Sequence, residues 1–308
     1  MQIIRNLNQI KTALPPLALT IGNFDGVHLG HLAIISEIKK IAKEKNLASA
    51  ILTFEPHPIS FFRPNQPNDF RISSLAQKLK IFQKNQIDYV IILPFDQNLS
   101  EVSAEDFVKN ILVKSLSLKH LIIGYDFIFG KNRQGDFKLL KKESKVFDFA
   151  LSEISAIKNC EENCSSSLIR KLISEGKIID ANLCLEKNFA ICGLVNEGRK
   201  LASQLGFPTA NLAVKPHIIK PKFGVYKSSI FIPHLNQKFS SITNFGVKPT
   251  IAGGLLPLFE THIPNFSKNI YGKKIHVELL DFIREEKKFT SLEELKAQIA
   301  RDVGQLEK

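Results

Sequence analysis

The 308-residue sequence predicts an α/β domain built on a parallel sheet, followed by an all-β barrel that closes on a terminal helix. Two observations predict this. Up to about residue 150, continuous apolar runs alternate with amphipathic segments of helical spacing, the grammar of strand–helix–strand crossovers. From about residue 186, short strand-like runs are separated by Gly, Pro and Asn turns. The boundary is expected within 181–188, giving domains 1–183 and 184–308.

The elements follow in order. Leu17, Ala18, Leu19, Thr20 and Ile21 suit a buried strand, and Leu32, Ile34, Ile35, Ile38 and Ile41 recur at helical spacing. Between them runs IGNFDGVHLGH (21–31). Its glycines at 22, 26 and 30 permit a tight turn and close approach of a ligand to the backbone. His28 and His31, three apart, share a face at a helix start, where free N–H groups attract an anion. The run therefore predicts a site for a nucleotide triphosphate. It lacks the Gly-Lys-Ser/Thr ending of the ATPase phosphate loop and is not GxGxxG.

SAILTF (49–54), DYVIIL (88–93) and HLIIG (120–124) read as buried parallel strands, so ligands are expected beyond their carboxyl ends. TFEPHP (53–58) offers Glu55 and His57 as a metal or acid–base pair, or as a rigid turn. GYDFIFGKNRQGD (124–136) carries Asp126 and Arg133 in a glycine-rich loop, read either as a cover for a ligand or as plain surface. SSSLIRKLISEG (165–176) starts a helix with three hydroxyls and places Arg170 one turn in, a phosphate-binding pattern or an ordinary N-cap. In the second half FAICGLV, GVYKSSIFI, FSSITNFGV and KIHVELLDFI read as strands. SLEELKAQIARDV reads as a helix with Ser291 at its N-cap and Glu294 three residues later.

Composition excludes other classes. The net charge is +12, from 42 basic and 30 acidic residues, but the lysines are spread over solvated helix faces and form no basic stripe interleaved with aromatics. This argues against a nucleic-acid partner and for small anionic ones. No stretch is long and apolar enough to cross a membrane. The first apolar run is broken by Pro15 and Pro16, unlike a signal peptide. Cys160, Cys164, Cys184 and Cys192 form no CxxC pair and have no histidine at zinc spacing, as expected of reduced thiols in a cytoplasmic protein.

GNFDGVHLGH resembles the signature of the HxGH nucleotidyltransferases, which transfer a nucleotide monophosphate and release pyrophosphate. With TFEPHP, FDQNLSEVSAEDFV (95–108), GYDFIFGKNRQGD and SSSLIR, and with GFPTANL (206–212), GVY (224–226), NFGVKPT (244–250), FETHIPNF (259–266) and YGKKIHVELLDFIREEKKF (271–289), the resemblance extends over nearly the whole chain. The chain is similar to the bifunctional riboflavin kinase/FMN adenylyltransferases, the prokaryotic FAD synthetases. The resemblance implies a Rossmann-like nucleotidyltransferase domain and a riboflavin kinase-like barrel. It implies ATP as co-substrate, riboflavin, FMN and FAD as substrates and products, and Mg²⁺ as cofactor. It also implies cytoplasmic action as a monomer or weak homo-oligomer, with no nucleic-acid or membrane partner.

By the same resemblance Gly22, Phe24, Asp25, His28 and His31 meet ATP, with Asp126 at the same site and Ser166, Ser167 and Arg170 on the triphosphate. In the barrel, Gly206, Thr209 and Asn211 would hold ATP, the last two as hard oxygen ligands of Mg²⁺. Glu260 would take the proton of the ribityl 5′-hydroxyl, and Arg284 would border the flavin. The chain departs from the family pattern at Ile128 (commonly Arg), Ser167 (commonly Thr), Ala202 and Ser203 (commonly a Gly-Arg pair) and Asn265 (often Asp). The changes at 202 and 203 motivate a rival reading, an adenylyltransferase whose barrel has reduced or lost kinase activity. A non-enzymatic basic nucleic-acid-binding protein is the remote alternative.

Overall fold

A computed structural model describes residues 1–63, 69–155, 158–159, 162–197, 206–213, 216–249 and 255–307. It divides into two compact units, Met1–Asn68 with Ser73–Ser165, and Asp69–Ile72 with Ser166–Lys308.

The first unit runs β1 (Gln2–Ile4), β2 (Leu17–Ile21), α1 (Leu29–Glu44), β3 (Ala48–Phe54), α2 (Pro58–Phe62), α3 (Leu75–Lys84), β4 (Tyr89–Leu93), α4 (Gln97–Ser100) and α5 (Ala104–Asp106). α5 continues as a π-helix over Phe107–Ser115, and β5 (Leu118–Gly124), α6 (Phe137–Phe147) and β6 (Ala150–Ile154) follow. Its sheet has the order β1-β4-β3-β2-β5-β6, with every pairing parallel. Strands of this kind are covered on both faces, which is why they read as continuous apolar runs. Alternate residues serve opposite layers. Ala18, Ile51, Val90 and Ile122 pack with Ile35 and Ile38 of α1 and Phe82 of α3. Leu19, Leu52, Ile91 and Leu121 pack with Phe107, Leu112 and Leu140. Burial of each such large side chain contributes about 1.5–3 kcal/mol. The β2-to-β4 series extends the sheet one way and β5-to-β6 the other, so the topological switch point lies between β2 and β5.

In the second unit, α7 (Ser166–Glu175) and α8 (Ile178–Cys184) precede β9 (Ala190–Leu194), β10 (Thr209–Ala213), β11 (Gly224–Ile232), β12 (Gln237–Pro249), β13 (Leu255–His262), β14 (Lys274–Arg284) and α9 (Leu292–Val303). The small pair β7 (Lys158–Asn159) and β8 (Glu162–Asn163) lies in the first unit. The order β10-β13-β12-β11-β14-β9 is antiparallel throughout. Its ends meet where the Asn196 N–H donates to the Asn211 carbonyl at 2.8 Å, so the sheet closes almost fully into the expected barrel. α8 is fastened to β14 by Asn182, whose amide donates to the Leu279 carbonyl at 2.9 Å and accepts from the Phe189 N–H at 2.8 Å. Asp69–Ile72 also belongs here. Arg71 bridges Ile218 through two 2.8 Å backbone bonds, and Asp69 pairs with Lys220. Ser291 caps α9 by accepting from the Glu294 N–H at 3.1 Å, while the Glu294 carboxylate turns to the N–H and hydroxyl of Thr290.

The barrel interior is apolar around Tyr226, Phe245, Phe259 and Leu279, with one polar thread. The Ser228 hydroxyl lies 2.8 Å from that of Ser241 and 2.7 Å from that of Thr243, which lies 2.9 Å from that of Thr261. All four side chains are buried, so each hydroxyl depends on its neighbour. Thr243→Val keeps the shape and removes the shared link. It is expected to cost about 1–3 kcal/mol, because Ser228 and Thr261 each lose a partner. The sequence has no tryptophan, so calorimetry is the suitable readout, and a lowered transition temperature is the expected result.

Candidate functional sites

The expected nucleotide site forms at the switch point of the first unit. Leaving β2, the backbone takes positive φ at Phe24 (49°), Gly26 (82°) and Val27 (46°), turning sharply before α1. Phe24 anchors this turn from inside, fully buried, with its ring edge-on to Phe82 at 5.6 Å and 4.9 Å from the His31 ring. Asp25 is buried and accepts from the Ser73 N–H at 3.2 Å, while the Ser73 hydroxyl accepts from the Gly26 N–H at 3.1 Å. The Lys78 ammonium, also buried, donates to the Asn23 carbonyl at 2.9 Å.

His28 is the N-cap residue of α1 and does not use its ring to cap the helix, whose first N–H groups are of the kind that attract an anion. Its ring stacks on His31 with centroids 3.7 Å apart. A Cβ at Gly30 would come within 3.1 Å of the His28 ring, so glycine is what admits this stack. The Nδ1 of His31 is sealed from solvent without a hydrogen-bond partner. Burial, then the neighbouring His28 and Lys78, hold the pKa of His31 well below that of a free imidazole. The unfolded chain thus binds this proton more readily than the folded one. The contribution is fully present above the ordinary histidine pKa of about 6.5 and is lost as pH falls below it. Acidification from neutral pH is expected to lower the unfolding temperature of the unmodified protein more steeply than that of a His31→Asn variant, measured in parallel melts.

Asp126 follows β5 across the switch point and is exposed, with an oxygen 3.4 Å from where a Cβ on Gly124 would stand. The loop beyond it is a braced hairpin. Phe129 and Gly135 exchange backbone bonds of 3.0 and 2.9 Å, and the Lys131 N–H donates to the Val102 carbonyl at 2.8 Å. Ile128, the departure in this loop, points into solvent. His57 is buried at the start of α2 and its Nδ1 accepts from the Ile59 N–H at 3.2 Å, which fits the rigid-turn reading of TFEPHP. Among the described residues no three His, Cys, Asp or Glu side chains gather as a metal cluster.

Sequence reasoning missed Ser73 and Lys78, as well as four aromatic rings at the carboxyl end of β3 and β4. Phe54, Phe61 and Phe62 each stand 5.5–5.7 Å from Phe95, and Phe62 is 65% exposed. The phenylalanine spacing in TFEPHPISFF was the available signal.

The barrel residues fall on one transverse line. Arg284 of β14 is opposite Val225 of β11, which is opposite Asn244 of β12, then Glu260 of β13, then Asn211 of β10. Three predicted residues from distant segments thus share a rung. Asn211 is buried and its side-chain oxygen has no hydrogen-bond partner, an acceptor aimed at nothing the chain supplies. Thr209 is on the next rung of the same face. A hydroxyl, an amide oxygen and a carboxylate form a hard-oxygen set that fits a small divalent cation. Asn244 was missed as a member of this line, and its amide donates to Glu286 at 3.3 Å. The Arg284 guanidinium is held by the buried Asp302 carboxylate, Nη2 to Oδ2 at 2.7 Å and Nε to Oδ1 at 3.1 Å, a rigid wall more than a mobile arm.

Ser166 and Ser167 begin α7 as expected, and both belong with Arg170 to the second unit. There the Arg170 Nε donates to the Phe70 carbonyl at 2.8 Å. Asn265, which replaces the usual aspartate, takes a left-handed φ of 56° that asparagine tolerates well. Ala202 and Ser203 lie outside the described residues.

Comparison with known proteins gives two family matches, FAD synthetase over residues 10–168 and riboflavin kinase over residues 185–308. Relatives named bifunctional riboflavin kinase/FMN adenylyltransferase include that of Buchnera aphidicola subsp. Schizaphis graminum, 39% identical over 98% of this chain and 97% of the relative. That of Haemophilus influenzae is 39% identical over the same shares, and that of Escherichia coli K12 is 35% identical over 98% and 96%. A crystal structure described as a macrolide-efflux protein from Streptococcus pneumoniae superimposes with a TM-score of 0.89 and 25% identity, covering 100% of this chain and 98% of that one. The efflux description stays with that protein; among the described residues here no helix is long and apolar enough to cross a membrane.

Proposed function

The chain belongs to the bifunctional riboflavin kinase/FMN adenylyltransferase family and carries both activities, and from the two sites we propose how its residues perform them. Riboflavin and ATP give FMN and ADP in the module of residues 184–308; FMN and a second ATP give FAD and pyrophosphate in the module of residues 1–183. The observation that carries the assignment is the single rung holding Arg284, Glu260 and Asn211, separate from the histidine stack at the switch point.

In the kinase step the Glu260 carboxylate takes the proton of the riboflavin 5′-hydroxyl as its oxygen attacks the γ-phosphorus and ADP leaves. Asn211 and Thr209 face the phosphates from β10, and Arg284 with its Asp302 brace fixes one border of the flavin. Mg²⁺, when bound through Thr209 and Asn211, would neutralise charge on the phosphate oxygens; the buried unpartnered oxygen of Asn211 supports that fit. In the adenylyl step the FMN phosphate attacks the α-phosphorus and pyrophosphate leaves. His28, His31 and the N-terminus of α1 supply hydrogen bonds where negative charge grows, so catalysis is by position and electrostatics. Phe24 and the Asp25–Ser73 contact keep the turn in shape. Asp126 borders the same switch point, and Ser166, Ser167 and Arg170 are assigned to the triphosphate on the sequence resemblance. The exposed Phe62 ring, beside the half-buried Phe61 and Phe95, supplies a flat apolar face on which an isoalloxazine ring would stack. Both steps consume ATP, which supports action in the cytoplasm.

Purified protein incubated with ATP, Mg²⁺ and either riboflavin or FMN, with flavins resolved by chromatography, tests this. FMN and FAD from riboflavin, and FAD from FMN, are expected. FAD from FMN without FMN from riboflavin would leave the adenylyl half alone, and no flavin product would overturn the reading.

A further inference from the structure

His262 has no part in the chemistry above, yet it touches the kinase signature at two points. On β13 it follows Glu260 by two residues and so faces the same way; its cross-strand partner on β10 is Thr209. Its Nδ1 lies 2.9 Å from the Pro208 carbonyl. A carbonyl only accepts, so Nδ1 carries the hydrogen and the tautomer of the neutral ring is fixed. The Phe207 ring meets the imidazole edge-on at 5.2 Å.

Among the described residues the turn it touches has few other restraints. Gly206 sits at a φ of 91° with nothing within 4 Å of where a Cβ would be, and Pro208 has no N–H to donate. Thr209 and Asn211 follow directly, so the attitude of this turn sets where their oxygens point.

We propose that His262 is a positioning residue of the kinase site, whose Nδ1–H bond to Pro208 and contact with Phe207 hold the turn so that Thr209 and Asn211 present their oxygens beside Glu260. The proposal rests on the kinase reading of the barrel. Two substitutions separate its parts. His262→Phe keeps a ring for Phe207 and deletes the donor. His262→Asn places an amide N–H where Nδ1–H stood.

Riboflavin phosphorylation and FMN adenylylation are assayed separately on full-length protein, with kcat and KM for ATP resolved. His262→Phe is expected to lower kinase kcat/KM by about tenfold or more, the equivalent of one well-placed hydrogen bond. The loss should appear in both KM for ATP and kcat, with FMN adenylylation unchanged. His262→Asn is expected to stay within about threefold of the unmodified enzyme. Unmodified kinase kinetics in His262→Phe would overturn the proposal, and so would equal impairment of the two variants, which would reduce His262 to packing. If the unmodified protein makes FAD from FMN but no FMN from riboflavin, the kinase reading itself falls, and that is seen before any variant is compared.

Discussion

Glu260→Gln is expected to stop FMN formation from riboflavin while FAD still forms from supplied FMN. Glutamine preserves size and the hydrogen-bonding register with Asn211 and Asn244, so the barrel should fold unchanged. What it removes is the ability to accept a proton. General-base assistance of this kind is worth about 10²–10⁴ in rate, and the loss should fall on kcat, because neither Thr209 nor Asn211 is altered. Single-turnover chromatography of riboflavin, FMN and FAD reads the result directly. A variant that phosphorylates riboflavin at the unmodified rate would remove Glu260 from the mechanism.

The complementary experiment is His31→Asn, for which riboflavin should be converted to FMN and stop there. Two features make His31 the sensitive member of the pair. It stacks on the His28 ring and meets the tilted Phe24 ring on another side, so its orientation is fixed before ligand arrives. Burial, then the neighbouring His28 and Lys78, keep it neutral at rest, able to take up charge when a polyanion arrives. Loss of one preorganised donor at a site of growing charge costs about 10²–10³ in kcat. Accumulation of FMN with undiminished kinase rate is the expected pattern. Undiminished FAD formation would show that the stack is structural only.

Much of this was legible in the sequence, and the gaps have physical causes. The runs at 49–54, 88–93 and 120–124 became β3, β4 and β5 almost residue for residue, because strands buried on both faces must be apolar throughout. β1 and β6 were not foreseen. Each is short and stands at an edge of the sheet, where the burial signal is weak. β13 was hidden by Pro257, which argues against a central strand. Among the described residues Pro257 lies opposite Val247 of β12, near the start of the strand and beyond the stretch 258–262 that β10 pairs with. At the sites, His28, His31, Asn211 and Glu260 could be read from local motifs. Ser73, Lys78, Asn244 and His262 could not, since what recruits them is strand register and packing across many tens of residues. The helices α7 and α8 pack with the second unit, whereas the FAD synthetase match ends at residue 168 and the riboflavin kinase match starts at 185.

The short stretch Asp69–Ile72 gives that last point a sharper edge. It lies deep within the first half of the sequence, yet its backbone completes the bonding of His217 and Ile219, and its aspartate holds Lys220. A barrel severed from its leader at 166 or at 184 would therefore leave behind the partner of its 217–220 segment. The molecule carries two activities but is not a pair of interchangeable cassettes. An exchange of halves cut at those points would take the barrel without the two backbone bonds of Arg71 and the Asp69–Lys220 pair.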